Sequence, residues 1–186
     1  MWDDLIEWDR TTLIYLNGLG HTSYDAFWSM VTEIYTWVPL FIFFIILLYK
    51  YNTRQEATAK MLLVIILAVL VGLVTHWTKI SISRIRPNND MEINTVIRVL
   101  KNPSDFSFFS GHASSSFSIS VLVFLLLRKN WKWAFLFFIW PVLFCISRIY
   151  VGVHYPLDVI VGALVGTTFG FLFYRIFEMW SKMKTI

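Results

Sequence analysis

Apolar residues in this chain run in long, nearly unbroken stretches, not in the alternation of a half-buried strand or the spaced stripe of a water-soluble helix. A helix needs roughly 20 mostly apolar residues to cross a bilayer. Such stretches lie at about 26–49, 59–77, 110–127, 131–146 and 156–177. The first carries Glu33 in its early turns and Pro39 as a kink point; the second stops just short of Lys79; the third is rich in serine over its first half. Trp2 to Leu16 differ, mixing Trp2, Leu5, Ile6, Trp8, Leu13, Ile14 and Leu16 with acids in a run too short to span. That pattern predicts an amphipathic helix lying in the interface, broken by Asn17-Gly18-Leu19-Gly20; a cap or a partner-contacting arm is the other reading. The expected fold is all-α: a polytopic transmembrane bundle of about five spans with an N-terminal interfacial helix, forming a single membrane-embedded domain over 1–186.

Composition agrees. Of 186 residues 57% are hydrophobic and only 15% charged, against about a quarter charged in soluble domains. The net charge of +4 does not mark a nucleic-acid partner, because the basic residues sit in loops between apolar segments. The single Cys145 lies in an apolar run and can form no intrachain disulfide. The acids Asp3, Asp4, Glu7 and Asp9 near the start are the opposite of the basic region that opens a cleavable signal peptide, and none is expected.

Loop charges orient the bundle. Lys50, Arg54 and Lys60 follow the first span, Arg128, Lys129 and Lys132 the third, and Arg175, Lys182 and Lys184 the fifth. With alternating helices all three groups fall on one side, which the positive-inside rule makes cytoplasmic. The loops 78–109 and 147–156 then face outward, yet 78–109 holds Lys79, Arg84, Arg86, Arg98 and Lys101. Cations on the disfavoured side need another purpose.

Each outward loop carries a motif. Lys79 is followed after six residues by Arg86-Pro87; Ser110-Gly111-His112 stands where a helix is about to begin; Ser147-Arg148 is followed after five intervening residues by His154, and after three more by Asp158. Guanidinium groups at Arg86 and Arg148 can fork onto phosphate oxygens while Lys79 adds a point charge. Lys79 and Arg86, seven apart, would share a face on a continuous helix. Ser110 suits an N-cap and Gly111 a close backbone approach to an anion at a helix N-terminus. A carboxylate at Asp158, four residues from His154, could fix one imidazole nitrogen and leave the other free to attack, with Pro156 in the first helical turn. The cations perform a metal's electrostatic task, and the sequence has neither a His-Glu-x-x-His nor an aspartate-rich cluster, so no metal and no cofactor is expected.

In order and spacing the three motifs resemble the signature of the type 2 phosphatidic acid phosphatase family, which includes vanadium-dependent haloperoxidases and bacterial acid phosphatases. The resemblance covers about Lys79 to Asp158 and extends to the helical layout. One departure is Phe109, where the family usually has proline. The resemblance implies that His154 is the nucleophile of a phosphohistidine, that Asp158 orients it, and that His112 is general acid and then base. It further implies that Lys79, Arg86, Ser110, Gly111 and Arg148 hold phosphate oxygens, with no clear role for Ser147. The implied substrate is a lipid phosphate met at the outer face of a bacterial inner membrane: undecaprenyl diphosphate first, with phosphatidylglycerophosphate or lipid A phosphates as alternatives. A phosphotransferase using the same site is the rival enzyme class. A scaffold or transporter would not need the His112, His154 and Asp158 set, and a haloperoxidase fits a membrane bundle poorly. Membrane lipids are the expected surroundings, nucleic acid is not a partner, and oligomeric state is open.

Other features read as structural. His76, one turn before Lys79, reads as an interfacial histidine, with a place behind the site as the alternative, and His21 as a turn histidine. Glu33 should face the bundle interior or the outer interface, where a basic residue of the outer loop is one candidate partner. Gly162, Gly166 and Gly170 should allow close helix packing within the chain, and the serines at 114, 115, 116, 118 and 120 should face neighbouring helices. Arg84, Arg98 and Lys101 are candidates for recruiting an anionic headgroup.

Overall fold

The computed structural model describes residues 2–183, and every regular element among them is helical. The helices are α1 (Trp2–Gly18), α2 (Asp25–Val31), α3 (Val38–Lys50), α4 (Arg54–Ile82), α5 (Gly111–Leu127), α6 (Ile139–Tyr150) and α7 (Pro156–Met183). Three helical stretches are long and apolar enough to cross a membrane: Arg54–Asn89, Lys132–Tyr150 and Pro156–Met183. The first expected span is not one helix. It breaks near Glu33 into Thr22–Val31 and Ile34–Lys50, bent by 67°. At the break Glu33 is extended and its carboxylate takes Lys101 Nζ of the 78–109 loop at 2.6 Å. Pro39, read as a kink, instead sits in the first turn of α3, where its missing N–H costs nothing.

The serine-rich α5 is the hub, packing on α3, α4, α6 and α7. It is only 17 residues long, with buried residues around most of its circumference. Its serines return their hydroxyls to the preceding turn, as Ser115 does to Gly111 O at 2.6 Å and Ser118 to Ser115 O at 2.9 Å. The small side chains let α7 approach. A Cβ built on Gly162, Gly166 or Gly170 would lie 2.6, 2.2 or 2.7 Å from the carbonyl oxygens of Ser110, Ser114 and Ser118. Three glycines of α7 thus ride on three serines of α5, and any larger residue would push the helices apart. On the other flank Ser114 Oγ meets Thr75 Oγ1 of α4 at 3.1 Å.

The basic loops gather at one end. Lys60 lies over the Phe177 ring, Arg128 over Tyr174, and Asn130 donates to Tyr51 O. Lys184 lies outside the described residues. At the same end α4 opens with a capping box, Thr53 Oγ1 accepting from Glu56 N–H and the Glu56 carboxylate from Thr53 N–H.

Helix α1 docks at the opposite end, and it does so inside out. Trp2, Leu5, Ile6, Trp8 and Leu16 are exposed, whereas Asp9, Leu13 and Asn17, spaced four apart, are buried. Exposed aromatics suit the lipid interface. Asn17 donates to Arg98 O, Ile149 O and Tyr150 O within 3.1 Å and accepts from Arg98 N, closing the last turn of α6 against the outer loop. Two polar residues, Asp9 and Asn17, therefore serve as docking contacts beside Leu13, while most apolar residues of the amphipathic pattern face outward.

Candidate active site

The three motifs meet at the α1 end of the bundle. Ser110 caps α5, its hydroxyl accepting from Ala113 N–H, while its own N–H donates to Asp158 O of α7 at 2.9 Å. The second motif is thereby bonded through main chain to the third, at the top of the glycine–serine seam. Asp158 lies in the first turn of α7 and His154 just before the helix, with Pro156 at its start. The His–Asp contact is thus made across the helix entrance, not along a helix face. Asp158 Oδ2 lies 3.3 Å from His154 Nδ1 and also accepts from Tyr155 N–H at 3.0 Å.

The tautomer of His154 follows from its neighbours. Arg86 Nη1 lies 3.0 Å from His154 Nε2. A guanidinium only donates, so Nε2 accepts and the proton of a neutral ring sits on Nδ1, facing Asp158. Burial, then the charges of Arg86, Arg148 and Lys79, holds the His154 pKa well below the ordinary imidazole value, so the ring is neutral near pH 7.

Lys79 and Arg86 converge, but not on one helical face as their spacing suggested. Helix α4 ends at Ile82, Ser83 turns left-handed (φ 51°), and Arg86 is extended before the turn Pro87–Asn89. Both cations reach Asp105 of the outer loop: Lys79 Nζ at 2.6 Å and Arg86 Nη2 at 2.9 Å. Arg86 Nε donates to Asp105 O and Nη1 also to Val153 O, so every nitrogen of this guanidinium is engaged. Burial opposes ionisation of Asp105, but the Lys79 hydrogen bond and the Arg86 charge outweigh it and hold its pKa below the ordinary value. Its side chain is 58% exposed, free to swing toward water.

Arg148 enters from the last turn of α6. It is buried, gives one Nη to Thr32 Oγ1, and its Nε has no partner among the described residues. A buried guanidinium with a spare donor calls for an acceptor. His112, in the first turn of α5, packs its ring 4.7 Å from that of Phe144. Arg148, His154, Arg86 and Lys79 are the groups whose charges act on it, which puts both histidines and the three cations in one cluster. Ser147 is buried and bonds back to Phe144 O at 2.6 Å. Phe109, in the place of the family's proline, is also buried.

A family model described as PAP2 superfamily matches residues 57–182. The chain belongs to the PAP2 superfamily. It is a membrane phosphatase of that group, and relatives along nearly its whole length agree. A lipid A 4'-phosphatase of Bacteroides thetaiotaomicron is 28% identical over 173 residues, covering 90% of this chain and 76% of that one. An undecaprenyl-diphosphatase of Sulfolobus acidocaldarius is 34% identical over 171 residues, covering 92% and 75%. Among solved structures, LpxE of Aquifex aeolicus superposes with a TM-score of 0.64 at 28% identity, covering 89% of this chain and 93% of that one. The PAP2-type phosphatidylglycerolphosphate phosphatase of Bacillus subtilis shares the fold at a TM-score of 0.72 and 21% identity, covering 95% and 87%.

The motif reading passed over Asp9, Asp25 and Asp105. The headgroup candidates Arg84, Arg98 and Lys101 are each paired with an acid: Arg98 with Asp25, Lys101 with Glu33, and Arg84 with both Asp9 and Asp158. Asp105, unremarked in its loop, is the carboxylate that Lys79 and Arg86 share. The available signal was the excess of outer-loop cations, which called for acids elsewhere in the chain as well as for a ligand. His76 is exposed on α4, and His21 caps the turn Thr22–Tyr24.

Proposed function

We propose that this PAP2 phosphatase hydrolyses the terminal phosphate of a membrane lipid through a phosphohistidine on His154. The lipid phosphate takes the donors that Asp105 holds, and Lys79, Arg86 and Arg148 grip its oxygens, with Ser110 and Gly111 at the α5 N-terminus adding backbone dipoles. The His154 Nε2 lone pair attacks phosphorus while the bond from phosphorus to the lipid oxygen breaks, and His112 gives that oxygen its proton. Water then attacks the phosphohistidine. His112 takes the water's proton, the P–N bond breaks, and inorganic phosphate leaves with His154 restored. Asp158 keeps the Nδ1 proton in place and offsets the positive charge that His154 carries as the intermediate forms.

The observation that carries this reading is the His154 imidazole held between Arg86 on one nitrogen and Asp158 on the other, beside two further cations. Undecaprenyl diphosphate is the first substrate to test, with lipid A phosphates and phosphatidylglycerophosphate as alternatives. The site faces outward from a bacterial inner membrane, because the basic loops lie at the other end of the bundle. Purified protein supplied with these lipids in ¹⁸O-labelled water should release singly labelled inorganic phosphate. Lipid consumed with no labelled phosphate would mean transfer to another acceptor; no lipid consumed from the whole panel would reject the assignment.

A further inference from the structure

We propose that Arg84 is a positioning residue for the reaction and Asp9 its anchor, which makes the N-terminal helix α1 part of the catalytic apparatus. This rests on the role given to His154 above. Asp158 is fully buried, and a buried carboxylate stays charged only with a partner. Arg84 supplies it: Nη1 reaches Asp158 Oδ1 at 2.7 Å, the oxygen not turned toward His154 Nδ1. The other arm, Nη2, reaches Asp9 Oδ2 at 2.6 Å, and the guanidinium lies 3.9 Å over the Tyr155 ring. A fork held at both tines and against a ring has little freedom to turn.

Asp9 is fully buried too, and its second oxygen accepts from Leu157 N–H at 2.8 Å. That donor is one of the unpaired N–H groups opening α7. Asp9 therefore caps the helix that carries Asp158 and also fixes the arginine that neutralises it. The chain of contacts runs Asp9, Arg84, Asp158, His154, from the interfacial helix to the attacking nitrogen. Arg84 lies on the Nδ1 side of His154, away from Lys79, Arg86 and Arg148, so it acts through Asp158 and not on the phosphate. Burial favours the neutral acid at Asp9, and nearby Asp158 pushes the same way, while the Leu157 and Arg84 bonds oppose both. Without Arg84 two buried carboxylates would compete for one proton. A protonated Asp158 would no longer fix the His154 ring.

The test is a double-mutant cycle with the full chain in detergent. Arg84→Met should lower kcat about 10- to 100-fold, the usual cost of losing an outer partner of an oriented histidine. KM and the inhibition constant of inorganic phosphate should stay within about threefold, and Arg84→Lys should recover part of the loss by keeping the charge. In an Asp158→Asn background, Arg84→Met should cost less than about twofold more. Multiplying costs, or phosphate inhibition weakened as much as kcat falls, would overturn the assignment. Should Arg84→Met fail to fold, Asp9→Asn and Arg84→Lys still decide it through ¹⁵N shifts of the His154 ring, read without substrate. The wild type should be protonated at Nδ1, and in both variants the Nδ1 resonance should move as its bond to Asp158 weakens. An unchanged Nδ1 resonance in both refutes the proposal, even if the wild type hydrolyses none of the lipids.

Discussion

On the Nε2 side of His154 stand Arg86 and Lys79, sharing one exposed, exchangeable carboxylate, Asp105, with Arg148 beside them; on the Nδ1 side stand Asp158, Arg84 and Asp9, two of them without any exposure. Both sides join arginines to acids, yet they are built for opposite ends. The front is rich in cations, its acid reaches solvent, and Arg148 retains an unpartnered donor. The back is closed: each Arg84 arm has its own carboxylate, and the remaining oxygens of those acids take backbone N–H groups or the His154 ring. Asp105 is more than half exposed, so water can take it up when a ligand displaces it from Lys79 and Arg86. Breaking a pair buried on both sides costs about 3–5 kcal/mol. Under the proposed mechanism arginine binds substrate on one side and holds the carboxylate that orients the nucleophile on the other, and burial of its partner decides which.

The largest effect should come from the residue between the two sides. His154→Ala should lower turnover about 10⁴-fold or more, since no other group can take the phosphoryl group; full-length protein with near-native activity would remove His154 from the reaction. Next come variants that separate back from front. Asp158→Asn should cost about a thousandfold in kcat with inorganic phosphate inhibition intact, whereas Arg148→Ala should weaken that inhibition along with kcat/KM by about a hundredfold. Equal effects on kcat and phosphate affinity in both would erase the distinction. The smallest change should run the other way. Asp105→Asn removes the internal competitor and should tighten inhibition by inorganic phosphate about threefold; weaker inhibition would mean that Asp105 organises the cations for the ligand.

The cations of the front and Asp158 were legible in the sequence; Asp105, Asp9 and the part played by Arg84 were not, for a physical reason. Cations at Lys79, Arg86 and Arg148 stand at the end of the bundle opposite the other basic loops, where the positive-inside rule gives them no place, and two histidines in ordered motifs complete the pattern. Glycines four apart in α7 likewise announced close packing, and they meet the α5 serines. Asp9 carried no such mark. It is one acid among four at the start of the chain, and only the docking of α1, through Leu13 and Asn17 on the same face, turns it inward. Arg84, two residues from Arg86, looked like another headgroup cation, because spacing cannot show that Ser83 reverses the backbone between Lys79 and Arg86. The break at Glu33 escaped for a similar cause: the apolar run continues through it, while the contacts made at the break are Thr36 to Met30 O, Trp37 to Val31 O and the ion pair with Lys101, distant in sequence.

The most direct test of the central claim is to stop the reaction of wild-type protein with ³²P-labelled lipid phosphate in alkali within milliseconds and map the label by mass spectrometry. The account predicts phosphate on the ring nitrogen of His154, appearing before free phosphate and lost in His154→Ala. Label on another residue, or none at any time while phosphate is released, would contradict it.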